Sequence, residues 1–235
     1  MVMFIWIATR LVHADPAGQL WLQQVDDRAR VDQATVELSI TVTDAKGVTS
    51  ERTIEIWQRG DDQRLVRMVA PPRLAGVSLL ARPGNQLHLF LPHYPPARRV
   101  LDSKRSDSFM GTDFAIEDLS RMTYTGTYDA SVVSVEDGLT RLRLTHTSDP
   151  NANPPELWID EDAVIHRIDH FGKRGNVVRR LQLDDVRPVG SAAIAHRIRV
   201  TDLTNNRVTV ATINRIDTDT PIDDSVFTVM NLERP

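Results

Sequence analysis

The feature that most constrains this chain is a long stretch in which apolar and polar residues alternate. The apolar positions of 34-ATVELSITVTDA-45 are Val36, Leu38, Ile40 and Val42. A repeat of two places each set of residues on one face of an extended strand. After a Lys46-Gly47 turn, the segment 48-VTSERTIEIWQR-59 alternates in the same way. We therefore predict a long β-hairpin with one apolar face.

The rest of the chain contains further extended segments separated by turn signals. They are 63–70, 76–82, 86–92, 97–102, 127–136, 139–147, 156–160, 164–171, 177–186, 195–202 and 207–217. The Gly, Pro, Asn and Asp residues between them are typical of turns. We predict a mainly β protein with a single antiparallel sheet of about ten or eleven strands. A sheet of this size has to curl to bury one face, which gives a half-open β-barrel and a natural ligand site in its interior or mouth.

Two segments have the helical period instead. Asp15-Pro16 is typical of a helix cap and first turn. In 16–30 the predicted apolar face consists of Leu20, Trp21, Leu22, Val25 and Ala29, and the predicted polar face of Asp26, Asp27, Arg28 and Arg30. A shorter central helix is predicted over 114–122, with Thr112 or Asp113 as its cap. These two helices are the candidates for a lid or plug on the barrel.

The composition limits the classes of function. The chain has 235 residues, which suits one large domain. It contains no Cys, so it has no disulfide, no thiolate metal site and no Cys to carry a bacterial lipid anchor. The net charge is −4 and the charges are scattered, which argues against a nucleic-acid partner. We expect a monomer that is not lipidated itself.

The N-terminal segment resembles a secretion signal. Residues 2–8 form an apolar run that is too short to span a bilayer. Val12-His13-Ala14 looks like a small-x-small cleavage site before Asp15, although a basic start is missing and Arg10 interrupts the apolar run. We interpret 1–14 as a signal peptide with a truncated start and 15–235 as the mature domain, which predicts a periplasmic protein. The alternatives are a misassigned start codon and a buried N-terminal strand.

No motif in the sequence points to catalysis, a metal or a cofactor. His166 and His170 would share a strand face but lie about 13 Å apart, too far to bind one ion. No G-x-S-x-G, P-loop or G-x-G-x-x-G motif occurs. We therefore predict a non-enzymatic protein without a metal site or cofactor. A hydrolase stays open as a residual alternative, because a Ser-His-Asp triad is defined by geometry and not by a motif.

The segment 108-SFMGTDFAIEDL-119 stands out from the surrounding strands. Its apolar residues are Phe109, Met110, Phe114, Ile116 and Leu119, and Gly111 permits a tight turn. The apolar set could close over the protein's own core, or it could form a lid over a lipid. We interpret Asp113 as a turn and cap residue, and Glu117 and Asp118 as a solvated or partner-facing edge.

The run from Arg64 to Met122 resembles the LolA-like outer-membrane lipoprotein-sorting proteins, in the branch associated with RND/MMPL-type exporters. The segments that carry the resemblance are 71-PPRLAG-76, 89-LFLP-92, Arg98-Arg99 and 108-SFMGTDFAIEDL-119. The later chain fits more loosely, through 158–160 and 222–234. Where the branch usually has an aromatic-rich WLYLP strand, this chain has 87-LHLFLP-92. This departure leaves open which side chains line a cavity.

The resemblance implies a LolA/LolB-like half-open barrel with a helical lid over an apolar cavity. It implies a periplasmic carrier that binds acyl chains of lipids or lipoproteins and transfers them towards the outer membrane with an RND/MMPL-type inner-membrane transporter. The implied lipid-binding or lid residues are Phe109, Met110, Phe114, Ile116, Leu119, Trp57 and Leu89. The implied structural motif residues are Gly76, Arg98, Arg99, Gly111, Thr112, Asp113 and Asp118. The alternative function is a sensor or protein-interaction module on the same fold.

Overall fold

The computed structural model describes residues 15–149 and 152–234, so the proposed signal peptide lies outside the described residues. The strands are β1 Gln33–Thr43, β2 Thr49–Arg59, β3 Gln63–Ala70, β4 Ser78–Arg82, β5 Gln86–Phe90, β6 Arg98–Arg99, β7 Tyr128–Glu136, β8 Leu139–His146, β9 Glu156–Ile159, β10 Ile165–Phe171, β11 Val177–Val189, β12 Ala192–Asp202 and β13 Arg207–Asp217. The helices are α1 Pro16–Ala29, α2 Ile116–Ser120 and α3 Val229–Leu232, with 3-10 turns at Asp102–Lys104 and Asp224–Phe227. The mainly β prediction is confirmed.

All thirteen strands belong to one antiparallel sheet. Their order is β6-β5-β4-β3-β2-β1-β13-β12-β11-β10-β9-β8-β7. The β1–β13 pair joins the two halves of the chain, while β6 and β7 lie at opposite edges and do not pair with each other. The sheet is therefore curled but open, as predicted. It has more than the ten or eleven strands predicted, because every extended segment pairs, including the two-residue β6.

The alternation of the first hairpin places the main core on one face of the sheet. The predicted hairpin forms, and its apolar positions face one another, since Val36 pairs with Ile56 and Leu38 with Ile54. Leu38, Ile40, Val42 and Ile54 all belong to this core. We call this side the concave face and the other side the convex face. Apolar side chains from α1 and from the 108–119 segment complete the core on the concave face.

The C-terminal segment covers a second core on the convex face. Strands β3, β4 and β5 carry apolar residues in consecutive positions, as at Leu65-Val66 and Leu79-Leu80, so both of their faces need burial. The members of the second core are Leu65, Leu80, Phe90, Ile222, Phe227 and Leu232. Arg67 Nη2 donates to the Asn231 carbonyl at 2.7 Å and fixes α3 against the sheet.

Helix α1 covers the edge formed by β7. Asp15 caps the helix as predicted, accepting from the Ala17 N–H at 3.1 Å. The side chains of Gln19 and of the cap residue Asp15 also accept hydrogen bonds from the free edge of β7. Gln19 Oε1 accepts from Ala130 N at 3.3 Å, and Asp15 Oδ2 accepts from Val132 N at 3.0 Å. Such contacts protect an edge strand from pairing with another chain. Among the described residues, no helix is long and apolar enough to cross a membrane.

The predicted faces of α1 were partly wrong. Its buried residues are Gly18, Leu22, Val25 and Asp26, whereas Leu20 is 61% exposed. This stripe follows the i, i+4, i+7, i+8 spacing, which turns Leu20 towards solvent, whereas Ala29 is exposed at the last position of the helix. Asp26 is buried because it accepts from Tyr124 N at 2.8 Å, Thr125 N at 2.9 Å and Thr125 Oγ1 at 2.6 Å. Backbone donors of a loop thus decide the orientation of this helix.

Candidate functional site

Residues 108–119, which we call the plug, form a compact loop and short helix on the concave face. Phe109 N donates to the Phe114 carbonyl at 2.8 Å and closes the loop. The turn between them needs positive φ at Met110 (48°) and at Gly111 (72°), and the glycine adopts it without strain. The helix begins at Ile116 rather than near Phe114, and Asp118 Oδ2 accepts from Ala115 N at 2.7 Å. The predicted cap at Thr112 or Asp113 is therefore wrong.

The plug turns its apolar side chains into the main core. Phe109 has no exposed surface and Phe114 is 4% exposed. Six of the seven predicted lipid-binding or lid residues share this core, namely Phe109, Met110, Phe114, Ile116, Leu119 and Leu89. Trp57 does not join them, because it follows Ile56 on β2 and points to the convex face, where it packs against the second core. The grouping of Trp57 with the plug is corrected accordingly.

Four arginines on the concave face bind the backbone of the plug region. Arg52, Arg64, Arg179 and Arg207 lie on β2, β3, β11 and β13. The bonds run from Arg52 Nε to Met110 O at 3.2 Å, Arg207 Nη2 to Gly111 O at 2.7 Å, Arg179 Nη1 to Asp113 O at 3.1 Å, Arg64 Nη1 to Leu119 O at 3.2 Å and Arg64 Nη1 to Arg121 O at 2.9 Å. Burial lowers the pKa of Arg64 to about 10. These arginines supply donors to carbonyls that a loop cannot satisfy by itself.

Asp113 anchors the middle of the plug to β13. Thr209 Oγ1 accepts from Asp113 N at 3.0 Å and donates to Asp113 Oδ2 at 2.7 Å. Thr209 has no exposed surface and Asp113 is 7% exposed. Thr112 Oγ1 donates to the Phe109 carbonyl at 2.7 Å and tightens the turn. The motif residues Thr112 and Asp113 thus hold the loop in place, although neither caps the helix.

Asp118 forms a buried ion pair and is not a solvated edge, so that interpretation is wrong for this residue. Arg179 contacts both of its oxygens, with Nη2 to Oδ1 at 3.2 Å. His170 Nε2 lies 3.7 Å from Asp118 Oδ1 and accepts from Arg179 Nη2 at 3.1 Å. Glu117 is more exposed and pairs with Arg121. A cavity of about 90 Å³ lies beside this network, and Asp118, Arg121 and His170 form part of its wall.

His170 gives this network a pH dependence. Burial, followed by the charge of Arg179, lowers the pKa of His170 from 6.5 to about 4, while Asp118 and Asp169 oppose the shift and Arg121 adds to it. Between these pH values the unfolded chain binds a proton that the folded protein does not bind, so stability falls as the pH falls from 6.5 to 4. The loss approaches about 3 kcal/mol at pH 4. We expect His170→Gln to remove this part of the pH dependence, measured by urea unfolding at several pH values. An unchanged slope in the variant would contradict the assignment.

The remaining motif residues are spread over two places. Gly76 has a φ of 82° and donates to the Met68 carbonyl at 2.9 Å, so it shapes the β3–β4 turn. Arg98 and Arg99 form the exposed edge strand β6. Within residues 15–149 and 152–234, no group of three His, Cys, Asp or Glu side chains could hold a metal ion.

Sequence reasoning missed the four arginines and Thr209. A signal for them was present, because each arginine occupies an inward position two residues before a buried one. Arg52 precedes Ile54, Arg64 precedes Val66, and Arg179 precedes Leu181. A charged residue that falls on the same strand face as the core residues is expected to have a buried partner. The identity of that partner, the plug backbone, could not be derived from spacing.

The open curled sheet, the α1 cover and the plug on the concave face together define the LolA-like half-open barrel class. Three solved structures share this fold. They are a domain assigned to outer membrane lipoprotein sorting from Vibrio parahaemolyticus (TM-score 0.82, 18% identity, covering 93% of this chain and 99% of that one), a DUF1329 family protein from Desulfovibrio piger (0.83, 19%, 92% and 98%) and a LolA superfamily protein from Nitrosomonas europaea (0.76, 19%, 90% and 97%).

The sequence comparison gives the family itself. A family model described as an uncharacterized protein matches residues 60–234, and the chain therefore belongs to that family. No curated protein matches the chain. At identities of 18% and 19%, the structural relatives define the fold of this family member and not its ligand.

Proposed function

We propose that this protein is a non-enzymatic carrier that binds the acyl chain of a lipid or lipoprotein on the concave face, beneath the plug. The observation that carries the proposal is the construction of the plug. Its apolar side chains enter the core, while side chains of the sheet hold its backbone through polar bonds. Polar contacts of this kind can be exchanged for water when the plug moves away. The fold shared with the lipoprotein-sorting domain and the LolA superfamily protein supports the proposal.

Acyl-chain binding requires the plug to move. The cavity of about 90 Å³ is far below the roughly 300–1,000 Å³ of typical ligand pockets. Opening the plug would vacate the volume of Phe109, Phe114, Ile116 and Leu119, with Met110 and Leu89 at its margin. Each methylene buried there contributes about 0.8 kcal/mol. About ten methylenes would contribute roughly 8 kcal/mol, which has to exceed the cost of opening.

We also propose the setting of this activity from the family resemblance. The carrier acts in the periplasm after removal of residues 1–14, as a monomer. It transfers its cargo towards the outer membrane together with an RND/MMPL-type inner-membrane transporter. In this scheme Gly76, Gly111, Thr112, Asp113 and Asp118 serve the shape and closure of the plug region.

A sensor or protein-interaction module is the second candidate function. The observation that favours it is the filled interior, since the protein's own side chains occupy the concave core. In such a module the plug would be a permanent part of the fold. The two functions differ in whether weakening the plug creates a binding site.

Thr209→Val separates the two candidate functions. The change keeps the shape of the side chain but removes both hydrogen bonds to Asp113. We expect this to destabilise the closed plug by about 1.4 kcal/mol, which shifts its opening equilibrium by a factor of ten. Because the closed state competes with the ligand, a carrier should bind a fluorescent long-chain fatty acid about tenfold more tightly after the change. Its free energy of unfolding should fall at the same time. Titration of the delipidated protein and urea unfolding measure the two effects.

Thr212→Val is the matched control, because Thr212 lies on the same strand, is exposed and faces away from the plug. It should leave both measurements unchanged. A Thr209→Val protein that is less stable and still binds no fatty acid would support the sensor module. Native mass spectrometry of the wild-type protein, purified without detergent, provides an independent test, since a carrier should retain some bound lipid.

A further inference from the structure

Two large apolar side chains are exposed at the β6 edge of the sheet. Tyr94, in the loop that leads into β6, is 66% exposed, and Leu101, two residues after the strand, is 65% exposed. Neither belongs to the main core or to the second core. This edge lies on strands β4, β5 and β6, and its exposed apolar groups take no part in the plug.

Three arginines lie on the strands of the same edge. Arg98 and Arg99 are exposed on β6, and Arg82 lies at the end of β4. Arg99 on β6 pairs with His88 on β5, and Arg82 on β4 pairs with Gln86, which also lies on β5. None of the three makes an ion pair or a side-chain hydrogen bond within 15–149 and 152–234. Burial, followed by the charges of Arg82 and Arg99, lowers the pKa of His88.

Four other arginines are neutralised by buried carboxylates. Buried Glu156 pairs with both Arg141 and Arg143, and buried Asp169 pairs with both Arg167 and Arg180. At the β6 edge, Arg105 pairs with Asp102, Lys104 pairs with Asp107, and the Glu233 carboxylate accepts from Ala97 N at 2.8 Å. Arg82, Arg98 and Arg99 have no ion pair among the described residues. Residues 82–105 contain five basic residues and one acidic residue, a net charge of +4, whereas the whole chain has −4, so the rest of the chain carries −8. The segment that forms this edge therefore carries a net positive charge.

We propose that this edge patch, defined by Arg82, Tyr94, Arg98, Arg99 and Leu101, docks on the surface of an anionic phospholipid bilayer. Charged residues on an edge strand also prevent strand addition, but that role does not account for exposed Tyr94 and Leu101. Tyrosine is enriched at the membrane interface, and basic residues are attracted to anionic headgroups. Apolar and basic side chains on one exposed edge combine both attractions.

The size of the effect follows from the number of charges. Each basic residue near an anionic surface strengthens binding about fivefold. Neutralising two of them in the variant Arg98→Ala/Arg99→Ala should therefore weaken binding about 25-fold. Leu101→Ser should weaken it several-fold without changing its salt dependence, because the apolar contribution is not screened by salt.

Vesicle co-sedimentation of the full chain tests the proposal. The wild-type protein should pellet with vesicles of phosphatidylcholine and phosphatidylglycerol, not with phosphatidylcholine alone, and release as salt is raised. Lys173→Ala/Arg174→Ala is the charge-matched control, since it removes two exposed basic residues from the distant β10–β11 turn, and it should pellet like the wild type. Circular dichroism verifies that each variant is folded.

Several outcomes would overturn the proposal. They are equal pelleting with neutral and anionic vesicles, no pelleting at all, or equal losses in the edge variant and the charge-matched control. If the protein pelleted with vesicles only in the presence of a protein partner, the patch would be assigned to protein recognition and membrane docking would be overturned. The inference does not depend on acyl binding, because Thr209→Val should pellet like the wild type even if it binds no fatty acid.

Discussion

Replacing Arg179 by alanine should lower the free energy of unfolding by about 3–5 kcal/mol, the usual cost of leaving one buried charge without its partner. Arg179 contacts both oxygens of Asp118, which is 10% exposed, and it donates to the Asp113 carbonyl and to His170. The variant leaves the Asp118 carboxylate buried among weaker donors. The midpoint and slope of urea unfolding measure the loss.

Arg187→Ala is the matched control for this experiment. Arg187 makes the same kind of two-contact pair with Asp185, but both side chains are about half exposed. Exposed pairs contribute about 0–1 kcal/mol, so the control should change stability little. Equal losses in the two variants would show that the Asp118 pair has no special role. Hydrogen exchange shows which part of the protein is destabilised, since we expect amides of the plug to lose protection first in Arg179→Ala.

Gly18→Ala should destabilise the protein by several kcal/mol, although the same change inside a helix ordinarily stabilises it by about 0.5–1 kcal/mol. A Cβ atom at this position would lie 2.4 Å from the Ala130 carbonyl oxygen and 2.7 Å from Ser131 Cα. These are backbone atoms of β7, so α1 would have to move away from the sheet. That movement would break the hydrogen bonds that Asp15 and Gln19 accept from the edge of β7.

Gln24→Ala tests helix propensity alone, because Gln24 is an exposed residue of the same helix. It should alter stability by no more than about 0.5 kcal/mol. If Gly18→Ala proved neutral or stabilising, α1 would not be packed against β7 as closely as the structure shows. Thermal unfolding of both variants in parallel gives the comparison.

Much of the fold was predictable, because strand alternation is a local property. The β1–β2 hairpin formed as predicted, and every extended segment contains a strand. The start of α1 at Asp15-Pro16 was equally clear, since capping depends on adjacent residues. The orientation of α1 was not predictable, because it depends on buried Asp26 meeting the backbone of Tyr124 and Thr125, about a hundred residues away.

The candidate site divides in the same way. The apolar members of the plug were identified from the sequence, and the structure brings them together in the main core. The family resemblance grouped Trp57 with them, but its place in the strand puts it on the opposite face. Asp118 resembles a solvated helix residue in sequence, but Arg179 on β11 makes it a buried ion pair.

The sequence by itself determined the antiparallel sheet, the turns, the cap of α1 and the apolar character of the plug, because these depend on residues within a few positions of one another. Only the tertiary structure decided what the plug is attached to. Its partners Arg52, Arg64, Arg179 and Arg207 come from four strands distant in sequence, and curling of the sheet brings them around one loop. The satisfaction of buried carbonyls is a property of the assembled fold, so no local pattern specifies it.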